Sequence, residues 1–183
     1  MNFWHSEWTK EEYVNGKREK YNTVINFLKT PPKTILDIGC GFAWESSLFQ
    51  KNHNSKLWLM DGDFDTTASR SRSIKYGEAS TMAFYSKIHD LKSAWDNRGL
   101  EYNFLDANNL NLSEDVKFDL VYSGLSCGFH YPANTYKDFI LAHSHKDTKI
   151  IFDLRHRQLH LDVKIIEVLG EYKKHNTVQI QFL

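Results

Sequence analysis

Two glycines that close a short apolar run carry the first chemical hint in this chain. Asp37-Ile38-Gly39-Cys40-Gly41 follows Thr34, Ile35 and Leu36. Glycine at 39 and 41 permits positive φ angles or close backbone approach in a turn that enters a helix, the usual setting for a nucleotide. A dinucleotide fingerprint needs a third glycine three residues after the second, where helix and strand pack tightly. Trp44 stands there instead. Asp37 puts a carboxylate beside a loop that would otherwise receive a pyrophosphate, and no Gly-Lys-Ser/Thr follows to make a Walker A loop. These residues suit a cofactor with an ammonium and a sulfonium but no phosphate.

Further acids stand at the ends of later apolar runs. Asp61 closes Leu57-Trp58-Leu59-Met60, with Gly62 and Asp63 after it, and Asp106 closes Tyr102 to Leu105. Each also has a plainer explanation: Asp61 as a helix cap, Asp106 as the start of an Asx-turn, Asp37 as a turn carboxylate. Cys40 reads as a small packing residue, and Trp44 and Trp58 as core.

Taken in order, Ile35-Leu36-Asp37-Ile38-Gly39-Cys40-Gly41 resembles motif I of the class I S-adenosylmethionine-dependent methyltransferases, with Ala43 where the third glycine usually stands. The resemblance implies that Asp61, or less directly Asp63, accepts hydrogen bonds from the ribose hydroxyls. Leu105 to Leu110 is similar to the segment where an acidic side chain, here Asp106, meets the adenine amino group. Phe118 to Ser123 resembles the fourth strand, which ends beneath the reactive methyl. The matches span roughly residues 34 to 154. They imply S-adenosyl-L-methionine as cofactor, with contacts from Asp37, Gly39, Cys40, Gly41, Asp61, Gly62, Asp106, Ala107 and Ser123.

The acceptor should sit at Ser123-Gly124-Leu125-Ser126-Cys127-Gly128-Phe129-His130-Tyr131-Pro132. His130 has a resting pKa suited to a general base near neutral pH, and Tyr131 could orient an acceptor. Both could equally fix a loop before Pro132. Asp153 is the third catalytic candidate, while Arg155 could fork onto a carboxylate or phosphate; the two could instead form a surface ion pair. The Asn/Asp-Pro-Pro-aromatic motif of amino-methylating relatives and the Pro-Cys pair of cytosine methylation are absent. Ser123 stands where metal-dependent catechol-type enzymes carry an acid, and the nine histidines show no zinc spacing, so no metal is expected. The expected reaction is methyl transfer to a polar small molecule or glycan, with oxygen preferred over nitrogen. One rival is an RNA methyltransferase with a basic face built from Arg70, Arg72, Lys75, Arg155 and Arg157. Another is a non-catalytic S-adenosylmethionine-binding module or partner subunit.

The elements that must position these residues follow from pattern. The chain has 183 residues, 41% hydrophobic and 25% charged, with zero formal charge, which predicts one globular domain and no long-range pull toward nucleic acid or anionic membrane. Its two cysteines form no disulfide framework, the N-terminus lacks a secretory pattern and no apolar run reaches membrane length, so a cytoplasmic protein is expected. Residues 1–32 are predicted as a helical lid: a capping box at Thr9 and Glu12, interruption at Gly16, then a helix through Leu28 that stops before Pro31-Pro32. Trp4, His5 and Trp8 resemble the family's aromatic lids. Strands are predicted at 34–38, 57–60, 102–105, 118–122, 149–154 and, near a sheet edge, 177–183. Helices are predicted at 43–53, 83–97, from Thr135, and at 159–169, with 64–80 as an insertion loop. Alternating strands and helices predict a three-layer α-β-α sandwich around a mainly parallel, doubly wound sheet, which takes ligands at the strand carboxyl ends.

Overall fold

The apolar run Thr34–Ile38 forms an interior strand buried along almost its whole length, as expected where both faces of a parallel sheet are covered. The structure is a computed structural model that describes residues 3–63, 84, 86–156 and 158–183, and of residues 3–5 the backbone alone. Its elements run α1 (Phe3–Trp8), α2 (Glu11–Leu28), β1 (Thr34–Ile38), α3 (Trp44–His53), β2 (Lys56–Asp61), α4 (Ile88–Asp96), β3 (Tyr102–Asp106), β4 (Phe118–Ser123), α5 (Lys137–Ala142), β5 (Ser144–Arg155), β6 (Val163–Glu171) and β7 (His175–Phe182). The seven strands form one sheet in the order β3-β2-β1-β4-β5-β7-β6. The pairings from β3 through to β5 are parallel, and β7 runs antiparallel to both β5 and β6. The chain order reverses between β1 and β4, so the crevice at their carboxyl ends is the switch point that favours a ligand.

Helices α2, α3 and α4 cover one face, where Tyr21, Val24, Phe49, Leu91 and Trp95 pack with Ile35, Leu57, Leu59, Leu120 and Ile151. The other face, with Leu36, Ile38, Met60, Val121 and Phe152, lies under Ile140 of α5 and the partly buried Leu110, Leu112 and Val116. The α-β-α layering is present but uneven, with α5 the one described helix on the second face.

Four expectations are corrected. Thr9 does not open α2: its hydroxyl donates to the Ser6 carbonyl at 3.2 Å and closes α1, while Lys10 stands at the α2 N-cap. Gly16 lies within an unbroken helix. The helix expected from residue 83 starts at Ile88, whose N–H is accepted by the Asp63 carboxylate at 3.0 Å. The helix expected at 159–169 is strand β6, whose Val163, Ile165, Ile166 and Val168 are β-branched and favour a pleated surface. It takes the sheet edge, so β7 is an interior strand with Val178 and Ile180 buried. The segment expected as an insertion loop at 64–80, with Arg70, Arg72 and Lys75, lies outside the described residues, as do Arg157 and the side chains of Trp4 and His5. Among the described residues no helix is long and apolar enough to cross a membrane.

Candidate cofactor and acceptor site

A cavity of about 380 Å³ opens at the carboxyl ends of β1, β2 and β4 and is walled in part by Gly39, Cys40, Gly41, Asp61, Ser126 and Tyr131. The turn that shapes it needs left-handed backbone at three places: Gly39 (φ 65°), Gly41 (φ 50°) and Ala43 (φ 51°). The N–H groups of Gly39 and Cys40 both donate to the Met60 carbonyl, at 2.8 and 3.2 Å, which ties the turn to β2. A β-carbon on Gly39 would fall 1.8 Å from the Ser126 hydroxyl, so glycine here admits the β4 loop. Ala43 tolerates the same conformation at about 1–2 kcal/mol and starts α3.

Asp61 faces this turn. Its Oδ2 accepts the Gly41 N–H and its Oδ1 the Gly62 N–H, each at 2.9 Å. Burial pushes its pKa up to about 6, against the pull of those two donors. A carboxylate offers about four acceptor positions, so both oxygens keep capacity for two vicinal hydroxyls. The Cys40 sulfur lies 4.0 Å from Oδ2. Beside Asp61, Gly62 leaves room for the Phe84 ring, which a β-carbon would meet at 2.1 Å.

Other predicted contacts stand elsewhere. Asp37 is buried behind the wall, with the Ser46 hydroxyl donating to Oδ2 at 2.5 Å, and burial raises its pKa to about 7. Asp106 is exposed, and its Oδ1 accepts the Asn108 N–H at 2.9 Å in an Asx-turn. The Ala107 N–H donates to the Asp61 carbonyl at 3.0 Å. Ser123 is fully buried; it donates to the Ile38 carbonyl at 3.0 Å and accepts the Cys127 N–H at 2.8 Å, so it joins the ends of β1 and β4. Asp63 is engaged at the start of α4.

At the mouth, the Tyr131 and Ser126 hydroxyls lie 2.5 Å apart, and burial raises the Tyr131 pKa so that it stays protonated. His130 lines the mouth, and burial of its ring together with the nearby Arg155 cation lowers its pKa to about 4. Asp153 is wholly buried and does not reach the cavity wall. Its Oδ2 accepts from Lys20 Nζ at 2.5 Å and from the Leu125 N–H at 2.9 Å, and its Oδ1 from the Thr177 hydroxyl at 2.6 Å. It therefore positions Leu125, a non-glycine residue at φ 59°, and with it the mouth. Its predicted contact with the reacting atoms is corrected to this positioning role, because both oxygens are engaged inside the protein.

The sequence did not point to Tyr13, Lys17, Glu45 or Lys174 in the wall. Tyr13 and Lys17 of α2 line the cavity with Trp8, Trp44, Glu45, Phe129 and Lys174. Lys17 Nζ donates to Glu45 Oε1 at 2.8 Å, and the Tyr122 hydroxyl donates to the same oxygen at 3.0 Å. Burial disfavours the Lys17 cation, but the Glu45 carboxylate, with Tyr13 and Asp153 adding to it, outweighs that and the pKa rises. The visible signal was the spacing of Tyr13, Lys17 and Lys20, which share one helix face. Trp44, expected in the core, donates its indole N–H to the Trp8 carbonyl at 3.0 Å and so carries the end of α1 over the turn.

No protein-family model matches the sequence, and no characterised protein matches it by sequence. Solved structures do match in shape. The plantazolicin methyltransferase BpumL in complex with SAH superposes with a TM-score of 0.59 at 16% identity, covering 84% of this chain and 52% of its own. MtNAS, solved with MTA and tNA, gives 0.60 at 10% identity, covering 98% of this chain and 64% of its own. The ribosomal protein L11 methylase of Lactobacillus delbrueckii subsp. bulgaricus gives 0.57 at 14% identity, covering 87% and 74%. The chain thus spans about half the length of BpumL. By this likeness in shape the chain has the class I methyltransferase fold.

Proposed function

We propose that the chain binds S-adenosyl-L-methionine in this cavity and directs its methyl group to a polar small-molecule or glycan acceptor at the mouth, with oxygen preferred over nitrogen. The observation that carries the proposal is Asp61, a buried carboxylate held against the glycine turn by the Gly41 and Gly62 N–H groups. It takes up the Gly41 N–H and supplies acceptors for a ribose diol.

The wall supports a division of labour. The backbone of Gly39, Cys40 and Gly41 lies against the methionyl chain, and Asp61 takes the ribose hydroxyls. Phe84 over Gly62 offers a flat face to the purine, and the Lys17–Glu45 pair answers the charges of the amino-acid end. When bound, the cofactor supplies an electrophilic methyl on a sulfonium. The chain itself aligns the acceptor, keeps water out and moves a proton. Tyr131 and Ser126 orient the acceptor hydroxyl. His130, neutral at pH 7, accepts the proton, while Asp153 and Ser123 hold the loop that presents both. Trp8 and α2 act as the lid.

Thermal shifts with S-adenosylmethionine, S-adenosylhomocysteine and NAD test the proposal. A ligand at one hundred times its dissociation constant stabilises by about 2.7 kcal/mol. Either sulfur ligand should produce such a shift and NAD should not. Folded protein that responds to neither sulfur ligand would sink the proposal.

A further inference from the structure

The charges around the cavity do not balance evenly. Lys17 is matched by Glu45 at 2.8 Å and Lys20 by Asp153 at 2.5 Å, and all four side chains are buried. Asp61 stands at the other end, against the glycine turn. Lys174 in the cavity wall and Arg155 beside Phe129 remain, both exposed, and neither makes an ion pair with a described carboxylate.

The two cations stand at neighbouring backbone positions. Pairing of β5 with β7 sets Arg155 opposite His175, and the His156 N–H donates to the Lys174 carbonyl at 2.9 Å. The Arg155 guanidinium lies 5.1 Å from the centroid of the Phe129 ring. Phe129, His130 and Lys174 all line the cavity. His175 packs edge-on against Phe129 with centroids 5.6 Å apart, which fixes that ring from behind.

We propose that the methyl acceptor is a small planar molecule bearing an oxyanion, whose carboxylate or phosphate is held at the mouth by Arg155 and Lys174. The inference rests on the methyltransferase reading of the cavity. Size agrees with it: about 380 Å³ lies at the low end of the roughly 300–1,000 Å³ usual for ligand sites. A nucleoside cofactor fills most of that space and leaves the acceptor the mouth. Arginine offers an oxyanion a planar fork and lysine a point charge, and both bonds would be charge-assisted. The chain is neutral overall, so the selection is local.

Calorimetric titration of the full chain loaded with S-adenosylhomocysteine tests this. The probes are 4-hydroxybenzoate, phenyl phosphate, the neutral 4-hydroxybenzamide and the cationic 4-hydroxybenzylamine. At least one anion should bind tenfold or more tighter than the amide and the amine, and the two anions tell carboxylate from phosphate. The double variant Arg155→Glu with Lys174→Glu should reverse that order. Anions that bind no tighter than the amide overturn the inference, as does a preference that survives the double variant. Binding of mixed-sequence single-stranded RNA, with neither anion bound, replaces the small acceptor by a nucleic acid and equally overturns it. Failure of S-adenosylhomocysteine to bind folded protein sinks the cofactor assignment instead, and the order of the four probes on unloaded protein still judges the rim.

Discussion

Asp61 should make cofactor affinity fall in acid, with a magnitude that follows from its surroundings. Its carboxyl is held near pKa 6 in the free protein, and ribose hydroxyls donate to the ionised form. If binding requires that form, the apparent dissociation constant rises by the factor 1 + 10^(pKa − pH). It changes little between pH 8 and 7, about doubles at pH 6 and rises about 11-fold at pH 5 by proton linkage. Asp61→Asn removes the titrating group and turns an amide N–H₂ toward either the Gly41 or the Gly62 N–H, which are both donors. Loss of charge-assisted bonds of about 1.5–3 kcal/mol weakens binding by roughly 10- to 150-fold. Calorimetry with S-adenosylhomocysteine from pH 8 to pH 5 reads both effects. Asp37 also titrates, near pKa 7, but behind the wall, so any slope left in Asp61→Asn is assigned to it. A parent affinity that changes less than twofold across this range would refute the reasoning, and so would a variant that keeps the full slope.

Asp37 predicts stability with the opposite trend to common carboxylates: its folded pKa is raised from 3.8 to about 7, so the folded state holds the extra proton between those values. Its contribution is full below pH 4 and is lost as pH rises through 7, by at most about 4 kcal/mol; urea unfolding of Asp37→Asn should show a gain over the parent at pH 8 that vanishes at pH 4. Gly39→Ala places a β-carbon 1.8 Å from the Ser126 hydroxyl at φ 65°, so it should cost at least about 1–2 kcal/mol and weaken S-adenosylhomocysteine binding. Adding Ser126→Gly should recover part of both losses, and no recovery would mean that the clash is not the cause. Asp153→Ala leaves Lys20 buried and unpaired and should cost about 3–5 kcal/mol; a loss under 1 kcal/mol in denaturant titration would count against the buried pair.

The glycine turn and β1 to β4 were legible because apolar runs stop abruptly at glycine or aspartate, punctuation that survives without tertiary context. Asp61 was legible for the same reason. β6 was not: Leu159, Leu161, Val163, Ile165, Ile166 and Val168 are dense enough to satisfy a helical period, and strand–helix alternation favoured that choice over their β-branched character. Part of the cavity wall was hidden for a different reason. Lysines on a helix normally face water, and Lys17 and Lys20 are buried because their acids come from 28 and 133 residues away. No local window contains that information. Asp106 carries both of its sequence readings: its place in the order of motifs implies an adenine contact, and its Oδ1 makes the Asx-turn.

The Lys20–Asp153–His175 contact joins α2 to β5 and β7, across 133 and 155 residues of chain. Closing loops of that length is the slow, entropically expensive part of assembling an α/β sheet. Asp153 also holds the Leu125 N–H, so the carboxylate that shapes the cavity mouth is the one that α2 and β7 brace through Lys20 and Thr177. A chain with α2 or β7 undocked would keep its glycine turn and lose that brace on the mouth.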